Sequence, residues 1–573
     1  MKTNPQKIYI GVAWPYVNGD IHIGHLTYLL SSDLCSRYHR LHGDDVIMIS
    51  GSDCHGTPTT VQADKEKVTP QEIVDRYHPE RLRLMRTYDI TYSLYTKTHT
   101  ENHTKVVQDI FLKLLKNGFI EKGTCMQYYS KKEDMFLPDR YVEGECPHCH
   151  SKEQRSDQCE GCGRMLDQGE LINPVSKTTG SKVTLKESEQ YFFMFNKLAT
   201  QLKKHTKSYD ENYRKWIHSE SMGWINEGLQ KRAITRDLDW GVPLPIDRIP
   251  EKYKLNSFDG KCFYVWFEAV IGYLSGSIEW SRRMGGEKLH QDIIFTKNIG
   301  QKNEWKELWF NQNAIHYYFM GQDNLVFHTL MWPAILLGTN EDYKLPDNIV
   351  VNKFYNYEGR KFSKSRNWII DSMDIAEQFG TDVVRYHIYK TLPENKEGNF
   401  KWKEFENNVN SDLVGKTGNL IHRVLTFINS KFGGQINKTE LNKDVEKSIK
   451  NCYQKCSSEI ENTEYVKSLH TVIRLVEFGN QYFDKSKVWE VIKDDKEKAE
   501  EILYNCLVII ANLRTLFNPY MPQFSKKIEE LITIEPIEYE VNKNYWAILK
   551  LNKPTITISK NPTPIFNKIE YTK

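Results

Sequence analysis

Apolar and polar positions change rhythm along the chain, and each rhythm predicts an element. "KIYIGVAW", from Lys7, is an apolar run of strand length. From Ile23 the apolar positions Leu26, Leu30, Leu34, Tyr38 and Leu41 recur at spacings of three or four, which predicts a helix ended by Gly43. "DDVIMISGSD" reads as a second short strand closing on Gly51 and Asp53. Strand, helix, strand in that order implies an α/β fold with a doubly wound parallel sheet, whose ligands gather at the carboxyl ends of the strands. Helical rhythm follows at 70–88 and 101–117. At Gly118 the texture turns rich in glycine, cysteine and turn residues, as expected of an insertion. Strand-like text resumes in "CFYVWFEAVIGYLS" and "IHYYFMGQDN", as though the first sheet were completed later in the chain. From about residue 400 the pattern is helical, with segments near 404–430, 444–460, 464–488 and 497–518, and a helical bundle is the economical arrangement.

Composition narrows the picture. A chain of 573 residues exceeds one ordinary core, so several domains are expected. Lys+Arg 78 against Asp+Glu 75 gives a formal charge of +3, so a surface for nucleic acid is a local patch and not a general coat. The N-terminus lacks the apolar core of a secretion signal and no run reaches about 18 apolar residues, so a cytoplasmic protein without a membrane partner is expected. Among eleven cysteines, Cys146, Cys149, Cys159 and Cys162 form C-x2-C-x9-C-x2-C, the spacing of a tetrahedral structural zinc site. Four thiolates leave no position for water, so one Zn2+ per chain is expected to hold the insertion together and to do no chemistry. His148 or His150 in place of one cysteine is the open alternative.

"WPYVNGDIHIGH", Trp14 to His25, lies where the first strand hands over to the helix. The unpaired N–H groups and the dipole of a helix start favour an anion, and phosphate is the natural one. His22 and His25, three apart, can both donate to phosphate oxygens, and Gly24 lacks the side chain that would hold a base away. These residue types fit ATP. Downstream, Lys361 and Lys364 in the polar "GRKFSKS" supply cations to a triphosphate as charge moves toward pyrophosphate.

"PYVNGDIHIGH" resembles the HIGH signature of the class I aminoacyl-tRNA synthetases in its methionyl form. "GRKFSKS" resembles that family's KMSKS loop, with Phe362 where methionine is usual. The resemblance implies a Rossmann-like catalytic domain, a zinc-binding insertion and a C-terminal anticodon-binding α-helical bundle. It divides the chain into 1–118 and 239–350 (catalytic halves), 119–238 (insertion with zinc knuckle), 351–399 (lysine loop and stem-contact region) and 400–573 (bundle and tail). It implies ATP binding by His22, Gly24, His25 and Lys364, and catalysis by His22, His25, Lys361, Lys364 and Arg236. For Arg236, in "AITRDLDWGVPLP", a buried structural ion pair is the equal alternative. It implies a methionine site of Asp53 on the ammonium, Trp266 and Tyr273 on the thioether, Asp323, His328, and Trp14 through its backbone. Tyr273 would hydrogen-bond the sulfur. Trp14 stands where leucine is commoner, and Gln322 where lysine is. "NSDLVGKTGNLIHRVLTFINSKF" resembles the start of the anticodon bundle, where Asn419 and Arg423 share a helix face and Trp489 offers a stacking surface. Val488 replaces the usual proline before Trp489.

The implied activity is that of an aminoacyl-tRNA ligase. L-methionine and ATP, accompanied by Mg2+, would give methionyl-adenylate, and the acyl group would pass to tRNA(Met). No appended dimerisation module follows, so a monomer is expected. The rivals are another class I synthetase, a nucleotidylyltransferase, and a zinc-stabilised tRNA-binding protein without catalysis. Nucleotidylyltransferases are far shorter and lack the knuckle and bundle, while His22, His25, Lys361 and Lys364 count against a non-catalytic protein.

Overall fold

The run at Lys7 becomes β1 (Lys7–Val12), buried from Ile8 onward. The computed structural model describes residues 5–571 apart from 138, 157–158, 160, 163, 165, 167–168, 210–213, 297–303, 363–367 and 561–562. α1 (Ile23–Leu41) and β2 (Asp45–Ser52) follow, then β3 (Leu94–Lys97), β4 (Ile294–Phe295), β5 (Ile315–Gly321) and β6 (Asn348–Asn352). They form one sheet in the order β4-β3-β2-β1-β5-β6. All pairings are parallel except that of the short edge strand β4 with β3. Between β1 and β5 the winding reverses, and a crevice opens there at the carboxyl ends. β2 is buried at every position because helices cover both faces of the sheet.

One stretch departs from its reading. "CFYVWFEAVIGYLS" is strand only over Lys261–Phe263; helical turns follow at Val265–Glu268 and a helix at Gly272–Met284. The helix reads as strand because it is buried almost all round, so no polar face marks its period. Its small residues let it press on the sheet: a Cβ on Gly276 would lie 2.6 Å from Ile49.

Between β3 and β4 in sequence, Ile120–Ser130 and Thr184–Phe193 pair as a long antiparallel arm, beside a small sheet of Val142–Glu145, Gln154–Arg155 and Ile172–Ser176. Beyond residue 400 the helices are Trp402–Asn408, Asn419–Phe432, Lys443–Glu461, Tyr465–Ser486, Val488–Asp494, Lys496–Phe517 and Pro522–Leu531. The first two are joined through a π-helical stretch, Val409–Gly418. Among the described residues no helix is long and apolar enough to cross a membrane.

A buried ionic cluster joins these parts. Asp33 of α1 accepts from Arg37 Nε at 2.8 Å and Arg385 Nη2 at 2.6 Å, and from the N–H and hydroxyl of Thr91. Burial alone would push its carboxyl up, but the two guanidinium groups hold it at about 2. Arg385, fully buried, also donates to the carbonyls of Tyr88, Pro519 and Tyr520. One side chain therefore ties α1, the end of the helix Pro70–Thr87 and the bundle to its own helix, Thr381–Lys390. Removing one partner of a buried ion pair costs about 3–5 kcal/mol. Arg385→Met is expected to lower the unfolding free energy by that order, seen as a lower urea midpoint followed by tryptophan fluorescence. Adding Asp33→Asn should recover part of the loss, because the uncompensated carboxylate is then gone.

Candidate functional site

The lead-in to α1 is held at several points. Asp53, just past β2, donates its N–H to Pro15 and accepts from Val17 N–H, at 3.0 and 3.1 Å. Buried Arg81, from the helix Pro70–Thr87, donates to the carbonyls of Tyr16 and Gly19. Gly19 has φ +147°, a conformation that side chains disfavour. The chain so bent delivers His22 as the N-cap of α1, its Nδ1 accepting from Gly24 N–H at 3.2 Å. Neutral His22 therefore carries its hydrogen on Nε2. His25 directs Nδ1 to the carbonyl of His22 at 3.3 Å, so its Nε2 donates to an anion only as imidazolium. The two rings lie 4.1 Å apart.

The second motif meets the first. Ile23 N–H donates to Ile370 and Ser372 N–H to Ile21, both at 3.1 Å, flanking a bridge between His22 and Asp371. Phe362 stacks on the His22 ring at 4.5 Å and 18°. Gly24 leaves room for both rings: its Cβ would lie 2.9 Å from His22 and 3.3 Å from Phe362. Lys361 is exposed on a short strand, Arg360–Lys361, with Nζ 5.1 Å from the Phe354 ring. Lys364 lies outside the described residues.

The side chains read as a methionine site form a connected set. Asp53 bridges Tyr16 through the backbone; Tyr16 meets Trp266 edge-on at 5.9 Å, and Trp266 lies flat on Phe327 at 3.9 Å. His328 follows Phe327 in sequence and accepts the Tyr273 hydroxyl on Nε2 at 2.6 Å, while its Nδ1 donates to the carbonyl of Asn324 at 2.8 Å. Burial pushes His328 down to about 4, so it is neutral. The Tyr273 hydrogen is thus committed to His328; donation to a substrate sulfur would require breaking that bond. Trp14 fills a slot between glycines: a Cβ on Gly51 or Gly272 would come within 2.5 or 3.0 Å of its ring. Asp323 is exposed in the turn Gln322–Asn324 that follows β5. Arg236 donates to the carbonyls of Ala233 and Thr235 and lies 3.6 Å over the Tyr264 ring.

Several groups here escaped the sequence reading. Glu268, fully buried, is bonded by His55 Nδ1 at 3.0 Å and His103 Nε2 at 2.6 Å. His55 Nε2 meets His99 Nδ1 at 3.0 Å. Against the cost of burial, the two imidazoles hold Glu268 at about 2. Asp53 beside it has weaker support, the His55 N–H at 3.4 Å and the charge of Arg140, and burial first and the Glu268 charge second push its carboxyl well above the usual range. Arg140, sent from the insertion, lies 5.5 Å over the Tyr16 ring. The only signal for the histidines was their place after apolar runs, in "GSDCHGT" and "YTKTHTENH".

Two further sites lie apart from the crevice. The Sγ atoms of Cys146, Cys149, Cys159 and Cys162 all lie within 4.8 Å of one another, and those of Cys149 and Cys159 are 3.5 Å apart. Tetrahedral thiolates about 2.3 Å from zinc stand about 3.8 Å apart, so the set fits. Backbone N–H groups of His148 and Cys162 point at Cys146 and Cys159, both at 3.4 Å, as thiolates require. His150 is bonded instead to Glu145 and His148 to Arg164, which favours the all-cysteine reading. In the bundle, Arg423 is bonded to Asp484 at 2.6 Å and lies 4.7 Å over Phe483, whose ring is 6.0 Å from the exposed Trp489. Asn419 is exposed one turn before Arg423.

Comparison with known proteins agrees along the whole chain. The family model "tRNA synthetases class I (M)" matches residues 8–425, and "Anticodon binding domain of methionyl tRNA ligase" matches 432–573. A methionine–tRNA ligase of Roseiflexus sp. (strain RS-1) is 39% identical over 551 residues, covering 93% of this chain and 89% of that one. One from Bacillus mycoides (strain KBAB4) is 37% identical, covering 93% of each. The crystal structure of Mycobacterium tuberculosis methionyl-tRNA synthetase bound by methionyl-adenylate superposes with a TM-score of 0.76 at 20% identity, covering 98% of this chain and all of that one; it shares the fold.

The buried Asp53 carboxyl carries a stability cost. A carboxyl whose folded pKa is raised contributes stability below its unfolded value, about 3.9, and loses it as pH rises through the folded value. At pH 7 Asp53→Asn is therefore expected to raise the melting temperature of the ligand-free protein. The gain should vanish below about pH 4, as thermal scans across pH would reveal.

Proposed function

The chain belongs to the class I tRNA synthetases, in their methionyl branch, and from that premise we propose how its residues perform the reaction. It activates methionine with ATP and passes the product to tRNA. The methionine carboxylate attacks the α-phosphorus; the new O–P bond forms as the bond to the bridging oxygen breaks, and pyrophosphate leaves. The terminal ribose hydroxyl of tRNA(Met) then attacks the carbonyl carbon, and AMP leaves. Neither step needs a protein nucleophile, so catalysis is positioning and charge stabilisation.

His22 offers Nε2–H to the triphosphate together with the start of α1, and His25 joins as imidazolium, a form the phosphate charge favours. Gly24 lies against the adenine. Lys361 and Lys364 take up charge developing on pyrophosphate, with Mg2+ beside them, and Arg236 adds a cation. Asp53 takes the substrate ammonium, which relieves a carboxyl otherwise stranded beside Glu268. Trp266 and Tyr273 with His328 enclose the thioether, Trp14 and Asp323 complete the site, and Asn419, Arg423 and Trp489 read the anticodon. The four cysteines hold Zn2+ and stabilise the insertion. Descent from translation ligases supports a cytoplasmic place of action.

The observation that supports this reading best is the contact between the two motifs, Phe362 on His22 and residues 21–23 against 370–372. The test is pyrophosphate exchange into ATP with each amino acid in turn: methionine alone should respond, and a response to another amino acid instead would overturn the reading. Lys364→Ala should slow exchange roughly 100- to 1000-fold with methionine affinity nearly unchanged, measured at saturating and limiting methionine. Metal analysis should return zinc in wild type, with Cys146→Ser losing the metal and opening the insertion to limited proteolysis.

A further inference from the structure

The lysine segment and the histidine motif are joined by stacked rings. Phe362 precedes residues 363–367 and Trp368 follows them. Phe362 lies parallel to Tyr357 at 6.0 Å and 13°, and Trp368 lies against Tyr357 at 4.7 Å and 29°. Trp368 Nε1 also donates to the Tyr357 carbonyl at 3.1 Å. Tyr357 is itself fixed, because its strand, Tyr355–Tyr357, pairs with Arg360–Lys361 and Gly398–Phe400, and its hydroxyl accepts from Trp402 Nε1 at 3.1 Å. The Phe362 ring also stacks on His22. His22, Phe362, Tyr357 and Trp368 thus form one ladder.

The ladder constrains the His22 imidazole. Its rotation about Cβ–Cγ is opposed at Nδ1 by the Gly24 N–H and across its face by Phe362. Turning the ring would break the hydrogen bond and the stack together. Resting on the functional reading above, we propose that Phe362 is a positioning residue for adenylate formation, with Tyr357 as its support. It fixes the plane of the His22 ring, and so the direction of Nε2–H. An aromatic pair adds only about 0.5–1.5 kcal/mol beyond its buried area. Its value here is geometric, since misplacement by about 1 Å at a reacting centre can cost on the order of a hundredfold.

Phe362→Ala should lower kcat of methionine-dependent pyrophosphate exchange about 10- to 100-fold, with KM for methionine within about twofold. Phe362→Met keeps a polarizable contact with the imidazole and should stay within a few-fold of wild type. Because the effect runs through His22, Phe362→Ala should cause little further loss in a His22→Ala background. Multiplying losses there, or an unchanged kcat in the single variant, would overturn the proposal. A readout independent of catalysis uses protein labelled with 13C at histidine Cε1, the His22 signal being assigned by its absence in His22→Ala. Removal of the Phe362 ring should move that signal, and no movement would also overturn the proposal. If the signal moves but wild type shows no exchange with methionine, the functional reading fails while the positioning contact stands.

Discussion

Two backbone hydrogen bonds, Ile23 to Ile370 and Ser372 to Ile21, weld segments almost 350 residues apart. The rest of the site depends on them. They place residues 370–372, which follow the lysine segment in sequence, against the cap of α1. Buried backbone groups must find partners, and here each strand-like fragment satisfies the other. The ring contact of Phe362 on His22 and the small space at Gly24 are the side-chain expression of the same junction.

That junction is held from beneath by charge. Asp33 lies on α1, behind the motif that α1 presents, and Arg385 reaches it from the helix after the lysine segment. The same guanidinium binds carbonyls at the end of the bundle's longest-buried helix, so catalytic sheet, lysine segment and bundle share one anchor. Buried ion pairs add little net stability, but breaking one strands the other partner, which makes such a cluster a device for one arrangement over others. Inside the crevice the opposite choice appears. Glu268 is compensated by two histidines, whereas the His55 N–H and the Arg140 charge do not offset the burial of Asp53 beside it.

Much of this was legible. The strand and helix of the first motif, the cysteine spacing, the strand at Ile315–Gly321 and the helical last third all follow from local patterns, because period and punctuation are properties of neighbouring residues. By periodicity alone the helix Gly272–Met284 read as strand, because it is buried almost all round and has no polar face to reveal its period, although the family resemblance implied a strand and a helix there. Arg81, Glu268, His55 and His103 escaped because each acts on a partner dozens or hundreds of residues away. Beyond the apolar runs before His55 and His103, nothing beside them in sequence distinguishes them from surface charges.

By itself, then, the sequence determined most of the strands and helices, where four thiols cluster, and which short motifs carry the cations and imidazoles. Covalent neighbours decide those features. Only the tertiary structure decided that Phe362 lies on His22, that the Tyr273 hydrogen is bound to His328, and that Asp53 is buried beside the charge of Glu268. Ring stacking, hydrogen-bond direction and the burial of charge depend on distances through space, and no spacing along a chain encodes them.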